Sequence, residues 1–315
     1  MKLKESIPGI IVVLVIAVFS YFISTLHASF DALVISIIIG MFIGNVLSEK
    51  NHFVSGIETG IKIFLPAGIA LYGTQLFFNE LRFSSILTIF LVFSCMFSLT
   101  LIISKIFNLN RKISILLASG LSICGASAIA VISPLIGAKR EDTSISIISV
   151  MMLGLIGMIF YPFLYDILSL TKNEFAFLTG TTLPMLGQVK VAAGSICPAC
   201  LSTAVKIKLI RISFLIFLVT IAVFLSGKEE KKVKVPWFII VFLVFAVIVN
   251  TTRIFEPFLE HLKNASSFFL SAALAAIGFS VDLDSMVEQG ITPVAVIFLS
   301  WGVIILSTYL ILSLF

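Results

Sequence analysis

Charge is scarce in this chain: 12% of its 315 residues are Asp, Glu, Lys or Arg, against about 25% in an average soluble domain. No long hydrophilic stretch interrupts it, so it cannot be a soluble domain hung on a single anchor. A globule of this size would lack the polar atoms to cover its surface, which excludes a soluble enzyme, a disordered protein and a nucleic-acid-binding domain. Cysteine is sparse too. Four cysteines do not make a disulfide scaffold, and His27, His52 and His261 are too scattered for a metal centre. No nucleophile–histidine–acid set, phosphate loop or H-E-x-x-H motif occurs, so no enzyme is expected.

What fills the chain is apolar: 59% hydrophobic residues, 30 of them phenylalanine, with a mean hydropathy of +1.19. A membrane crossing needs about 20 mostly apolar residues. Continuous runs lie at about 7–26, 30–48, 60–79, 83–104, 142–165, 205–226, 236–255, 264–281 and 291–314. Two further segments, about 113–137 and 174–200, are broken by glycine, proline and small polar residues. The expectation is an all-α polytopic membrane protein with 10–11 crossings, forming one transmembrane domain over 1–315. The apolar stretch after Met1-Lys2-Leu3-Lys4 carries no small-residue cleavage pattern and reads as a retained first helix.

The net charge of +5 splits into two parts. With the N-terminus inside, twelve Lys and Arg fall on the inner side, including Lys228, Lys231, Lys232 and Lys234, and five on the outer. That bias expects a cytoplasmic N-terminus in a bacterial inner membrane. The other four cations, Lys190, Lys206, Lys208 and Arg211, lie between Glu174 and Glu229, an interval with no acidic residue. They either pair with distant acids or attract an anionic substrate, unless those near a span end snorkel to headgroups.

The interrupted segments are where chemistry is expected. Ala118 to Ala130 holds Gly120, Gly125, Ser119, Ser122 and Ser127, a pattern for either tight helix packing or a broken helix. Unwound backbone in a membrane is tolerated only where it is buried or lines a cavity. A helix restarting near Gly125 would point free N–H groups at an anion. In the second segment Pro184 removes a backbone donor and Gly187 loosens the helix. Gln188 and Lys190 follow within an apolar stretch, where a lysine costs about 2.5–3.5 kcal/mol unless it faces a partner. The two segments echo each other, Leu121 to Ser133 against Leu183 to Ser195, as the halves of a repeat would. Cys197-Pro198-Ala199-Cys200 reads as a structural helix start, with a thiol-redox or metal-handling role as the rival. Glu58, Asp282 and Asp284 sit near span ends and are the candidates for proton or sodium coupling.

Several strings taken together resemble the YeiH family, whose assignment to sulfate export is itself an inference. They are Ser122 to Ala130, Gly187-Gln188-Val189 with Ala192-Ala193-Gly194, Val205 to Arg211, Pro236-Trp237-Phe238, and Ala273 to Leu283. The resemblance implies a secondary transporter distantly like the bile-acid/sodium symporters, with inverted repeats and two crossed discontinuous helices. It also implies a small anionic substrate such as sulfate, sulfite, a related sulfur oxyanion or a sulfonate. The expected substrate-binding residues are then Ser122, Gly125, Ala126, Ser127, Gly187, Gln188, Lys190, Lys208 and Arg211. No cofactor or metal is expected beyond a coupling Na+ or H+, and the partners are the substrate and lipid, with a homodimer compatible. The rival reading is a sodium- or proton-coupled organic-anion symporter. One departure stands out. The family usually carries a His-Asp or His-Glu pair just before the second Gly-Gln, where this chain has Pro184 and Met185. An acid is gone, and Lys190 stands where an apolar residue is usual, placed to bind the anion or to replace a coupling cation.

Overall fold

The computed structural model describes residues 3–26, 32–47, 51–76, 83–215, 217–219, 221, 237–252, 254–280 and 291–313. Among them all regular structure is helical. In chain order the α-helices are α1 (Leu3–Leu26), α2 (Ala32–Val46), α3 (Asn51–Tyr72), α4 (Phe83–Ile106), α5 (Arg111–Ser122), α6 (Ala126–Ile136) and α7 (Arg140–Ile167). They continue with α8 (Lys172–Thr182), α9 (Leu186–Gly194), α10 (Pro198–Ser213), α11 (Trp237–Thr251), α12 (Leu259–Phe279) and α13 (Thr292–Ser313). Six are long and apolar enough to cross a bilayer: α1, α3, α4, α7, α12 and α13. The protein is an all-α polytopic membrane protein, as its hydropathy requires.

The chain divides into two compact units. The first comprises Met1–Leu81 with Val235–Leu283, and so holds α1, α2, α3, α11 and α12. Its core joins Val13, Ile16 and Ala17 of α1 to Ile57 of α3 and Ala272, Ala275, Ala276 and Phe279 of α12. Lipid is as apolar as leucine, so helices in a membrane associate through close backbone approach at small residues. Gly40 and Gly44 of α2 do this: a Cβ on either would lie 2.3 Å from the carbonyl oxygen of Ala275 or Phe279 respectively. Between α1 and α3 the hydroxyls of Ser6 and Ser55 meet at 3.0 Å. α3 begins at Asn51, ahead of the apolar run. Glu58 therefore lies inside a helix, half-buried, instead of preceding one.

The second unit comprises Arg82–Lys234 with Asp284–Phe315, and holds α4 to α10 and α13. Here both interrupted segments are broken helices. α5 stops at Ser122 and α6 restarts at Ala126; α8 stops at Thr182 and α9 restarts at Leu186. The breaks thus pair Ser122 with Thr182 and Ala126 with Leu186. The sequence echo pairs Leu121 with Leu183 and is out of step with them, because small apolar residues match easily in many registers. The run at 205–226 begins inside an element that starts earlier, α10, opened by Pro198 in its first turn and ending at Ser213. Asp282 and Asp284 lie outside the described residues.

Candidate functional site

A helix leaves its last four carbonyls without partners, and in an apolar interior each such group costs about 1–3 kcal/mol. Breaking two helices therefore creates a demand for donors. In α5, Ser119 O accepts from Ile123 N at 3.3 Å and Gly120 O from Gly125 N at 2.8 Å. The carbonyls of Leu121, Ser122 and Ile123 remain. In α8, Thr179 O accepts from Leu183 N at 3.2 Å, and the carbonyls of Gly180 and Leu183 are among those that remain.

Two side chains of α10 meet this demand. Lys208 and Arg211 are three residues apart on one face, 0% and 1% exposed. Lys208 Nζ donates to Ile123 O and, at 2.8 Å, to Leu183 O. Arg211 Nε donates to Ser122 O at 3.1 Å, and Nη1 to Gly180 O at 3.1 Å and Leu183 O at 3.0 Å. Its Nη2 donates to Leu121 O at 2.8 Å and faces Met96 Sδ of α4 at 3.9 Å. A guanidinium has five N–H donors, and these five contacts account for them. None of these hydrogen bonds goes to a carboxylate. Each cation also lies at the negative pole of two helix dipoles, where positive charge is favoured.

The positive poles meet as well. Gly125, the N-cap of α6, has φ +67° and ψ −131°, a conformation open to glycine and costly for residues with a Cβ. A Cβ there would lie 2.5 Å from Met185 Cγ, and Met185 is the N-cap of α9. Two half-helix N-termini thus touch. Ser127 Oγ turns back to Cys124 O at 2.9 Å and Cys124 Sγ at 3.0 Å. Gln188 Oε1 accepts from Met185 N at 3.0 Å, and Gly154 of α7 makes room for its carboxamide, since a Cβ there would fall 2.1 Å from Oε1. Tyr161 of α7 hydrogen-bonds Thr182 at the end of α8 and lies 5.8 Å from the Trp301 ring of α13.

Residues 8–297 match the family described as Conserved hypothetical protein 698. The chain belongs to this family. It is 29% identical to a UPF0324 membrane protein of Bartonella henselae, over 99% of this chain and 91% of that one. It is 30% identical to a UPF0324 membrane protein of Archaeoglobus fulgidus, over 95% and 90%. It is 28% identical to the UPF0324 inner membrane protein YeiH of Escherichia coli K12, over 88% and 84%. No solved structure matches the chain. The resemblance read from the motifs therefore holds at the level of the family.

The structure brings most of the sequence-predicted residues into one neighbourhood and changes the part that two of them play. Gly125, Ala126 and Ser127 open α6, and Gly187 and Gln188 lie in the first turn of α9. Lys190 is half-buried further along α9, and Lys206 is half-buried on α10. Ser122 Oγ bonds its own helix at Ala118 O, 2.6 Å away, and contributes its carbonyl. Lys208 and Arg211 cap helices; with every donor occupied, Arg211 has none left for an anion. Distant acids, an anionic substrate and lipid headgroups were the partners the sequence offered for these cations, and backbone carbonyl was the one missed. The breaks themselves signalled it, because two helix C-termini in an apolar interior require donors. Glu58 belongs to the first unit. Cys197 caps α10, its Sγ accepting from Cys200 N at 2.9 Å, and is disulfide-bonded to Cys200.

Proposed function

We propose that the protein is a secondary transporter that moves a small anion across the bacterial inner membrane by alternating access, with its N-terminus in the cytoplasm. The reading rests on the charge balance around the two breaks. Two whole positive charges, Lys208 and Arg211, face helix C-termini worth roughly −0.5 each, while the N-termini of α6 and α9 add roughly +0.5 each. Among the described residues the hydrogen bonds of Lys208 and Arg211 run to backbone carbonyls and the Met96 thioether, so the positive charge of this pair is offset only by helix dipoles. Buried cations and helix N-termini at a break are the features with which transporters hold anionic groups. The first turns of α6 and α9, with Ser127 and Gln188, form the binding face, and Lys190 supplies further charge. Tetrahedral sulfur oxyanions and sulfonates offer several acceptor oxygens to such converging N–H groups. Sulfate, sulfite and small sulfonates are therefore the substrates to try first.

A thermal-shift panel of purified protein with sulfate, sulfite, sulfonates and carboxylates tests this. A saturable rise in melting temperature with an oxyanion, followed by uptake of that anion into proteoliposomes, is expected. Indifference to every anion would overturn it.

A further inference from the structure

Backbone carbonyls at the C-terminal ends of broken membrane helices are the groups with which carriers coordinate a coupling cation. In this protein five such oxygens, those of Leu121, Ser122, Ile123, Gly180 and Leu183, converge from two breaks. All five already accept from side chains of α10.

We propose that Lys208 and Arg211 are tethered substitutes for a coupling cation, so that the carrier works without sodium. Lys208 is the ion-like member. Its ammonium is a compact point charge, and it joins one carbonyl from each break, Ile123 and Leu183. Arg211, a planar fork, takes the remaining carbonyls and shares Leu183. A mobile ion leaves when the site opens; a lysine anchored on α10 stays within its side chain's reach. The breaks are therefore neutralised throughout the cycle, and no ion gradient acts through them. The word coupling rests on the carrier reading, but the cation site is defined by the geometry alone.

The test uses the full chain and needs no substrate. Wild type, Lys208→Met and Lys208→Arg are solubilised and their melting measured in sodium chloride and in choline chloride at equal ionic strength. Wild type should melt at the same temperature in both salts, and so should Lys208→Arg. Lys208→Met keeps the bulk of the side chain and vacates an ion-sized position between Ile123 O and Leu183 O. It should melt several degrees lower in choline and recover saturably as sodium is added. A saturable sodium effect on wild type would overturn the proposal. So would a folded Lys208→Met protein indifferent to sodium. The same holds if Lys208→Met gives no folded peak in size-exclusion chromatography in either salt while Lys208→Arg does, because a mobile ion then cannot stand in for the tethered one. Failure here leaves the anion panel untouched, and failure of the panel leaves this result standing.

Discussion

Lys208 and Arg211 donate to the same oxygen, the carbonyl of Leu183, at 2.8 and 3.0 Å. Two cations on one acceptor repel each other, and a single isolated amide could not offset that. The Leu183 carbonyl lies instead beside the negative poles of α5 and α8, and the carbonyls around it spread both charges over two helix ends. This shared oxygen joins the second break to the first, and substitutions near it should have correlated effects.

Arg211→Met should be among the most damaging single changes in the chain. It removes the donors to Leu121, Ser122 and Gly180 at once, and each buried unsatisfied carbonyl costs about 1–3 kcal/mol. Arg211→Lys should recover only part of this, since an ammonium cannot reach a fork of carbonyls in several directions. Melting followed by circular dichroism should rank wild type above Arg211→Lys, and Arg211→Lys above Arg211→Met. Equal melting of all three would remove the capping role.

Gly125→Ala should destabilise for two separable reasons. The positive φ with ψ −131° lies outside the left-handed helical well and costs about 1–3 kcal/mol for an L side chain, and the new methyl meets Met185 at 2.5 Å. Combining it with Met185→Ala relieves the second cost and leaves the first. A double-mutant cycle should therefore show coupling between the two sites, with the double variant still below Met185→Ala alone. Additivity would mean that the two N-caps do not touch.

Gly154→Ala should act on the binding face through Gln188. Its Cβ would displace the carboxamide that caps Met185 N, so α9 loses an N-terminal hydrogen bond worth about 1 kcal/mol. The expected result is a melting temperature a few degrees lower and a weaker stabilisation by the anion found in the panel. Gly154→Ala with Gln188→Ala should melt above Gly154→Ala alone, because the clash is gone. Unchanged anion response in Gly154→Ala would separate Gln188 from the site.

Replacing Cys197 and Cys200 together by serine should leave the anion response intact. Serine is itself a strong N-cap, so the start of α10 keeps a donor-accepting side chain in place of Cys197 Sγ. Loss of anion-dependent stabilisation in a well-folded double variant would tie the Cys197–Cys200 disulfide to the anion site.

Lys190→Ala separates charge from capping. Lys190 sits on α9 beyond the break and is half-buried, so its removal should weaken oxyanion binding by about tenfold or more, the worth of one charge-assisted hydrogen bond. Sodium independence should be unaffected, since that is assigned to α10. Wild-type affinity in this variant would take Lys190 out of the site.

Much of this architecture was legible before any coordinates. Apolar length marks the six long spans, and Gly125 and Pro184 mark the two breaks, because glycine and proline act on the backbone where they stand. Legibility failed where a helix extends through polar residues beyond its apolar run, as α3 does in starting at Asn51. The echo of Leu121 with Leu183 fell out of step with the breaks because small apolar residues match easily in many registers.

The sequence by itself determined a membrane protein with two interrupted segments and four cations in an acid-free interval, since hydropathy, backbone chemistry and charge are local properties. Only the tertiary structure decided what two of those cations do. The carbonyls that hold Lys208 and Arg211 lie 25 to 90 residues away in the chain. A carbonyl belongs to every residue type alike. Nothing in the identity of Leu121, Ile123 or Leu183 marks it as the partner of a buried charge, and packing of α5 and α8 against α10 makes it one.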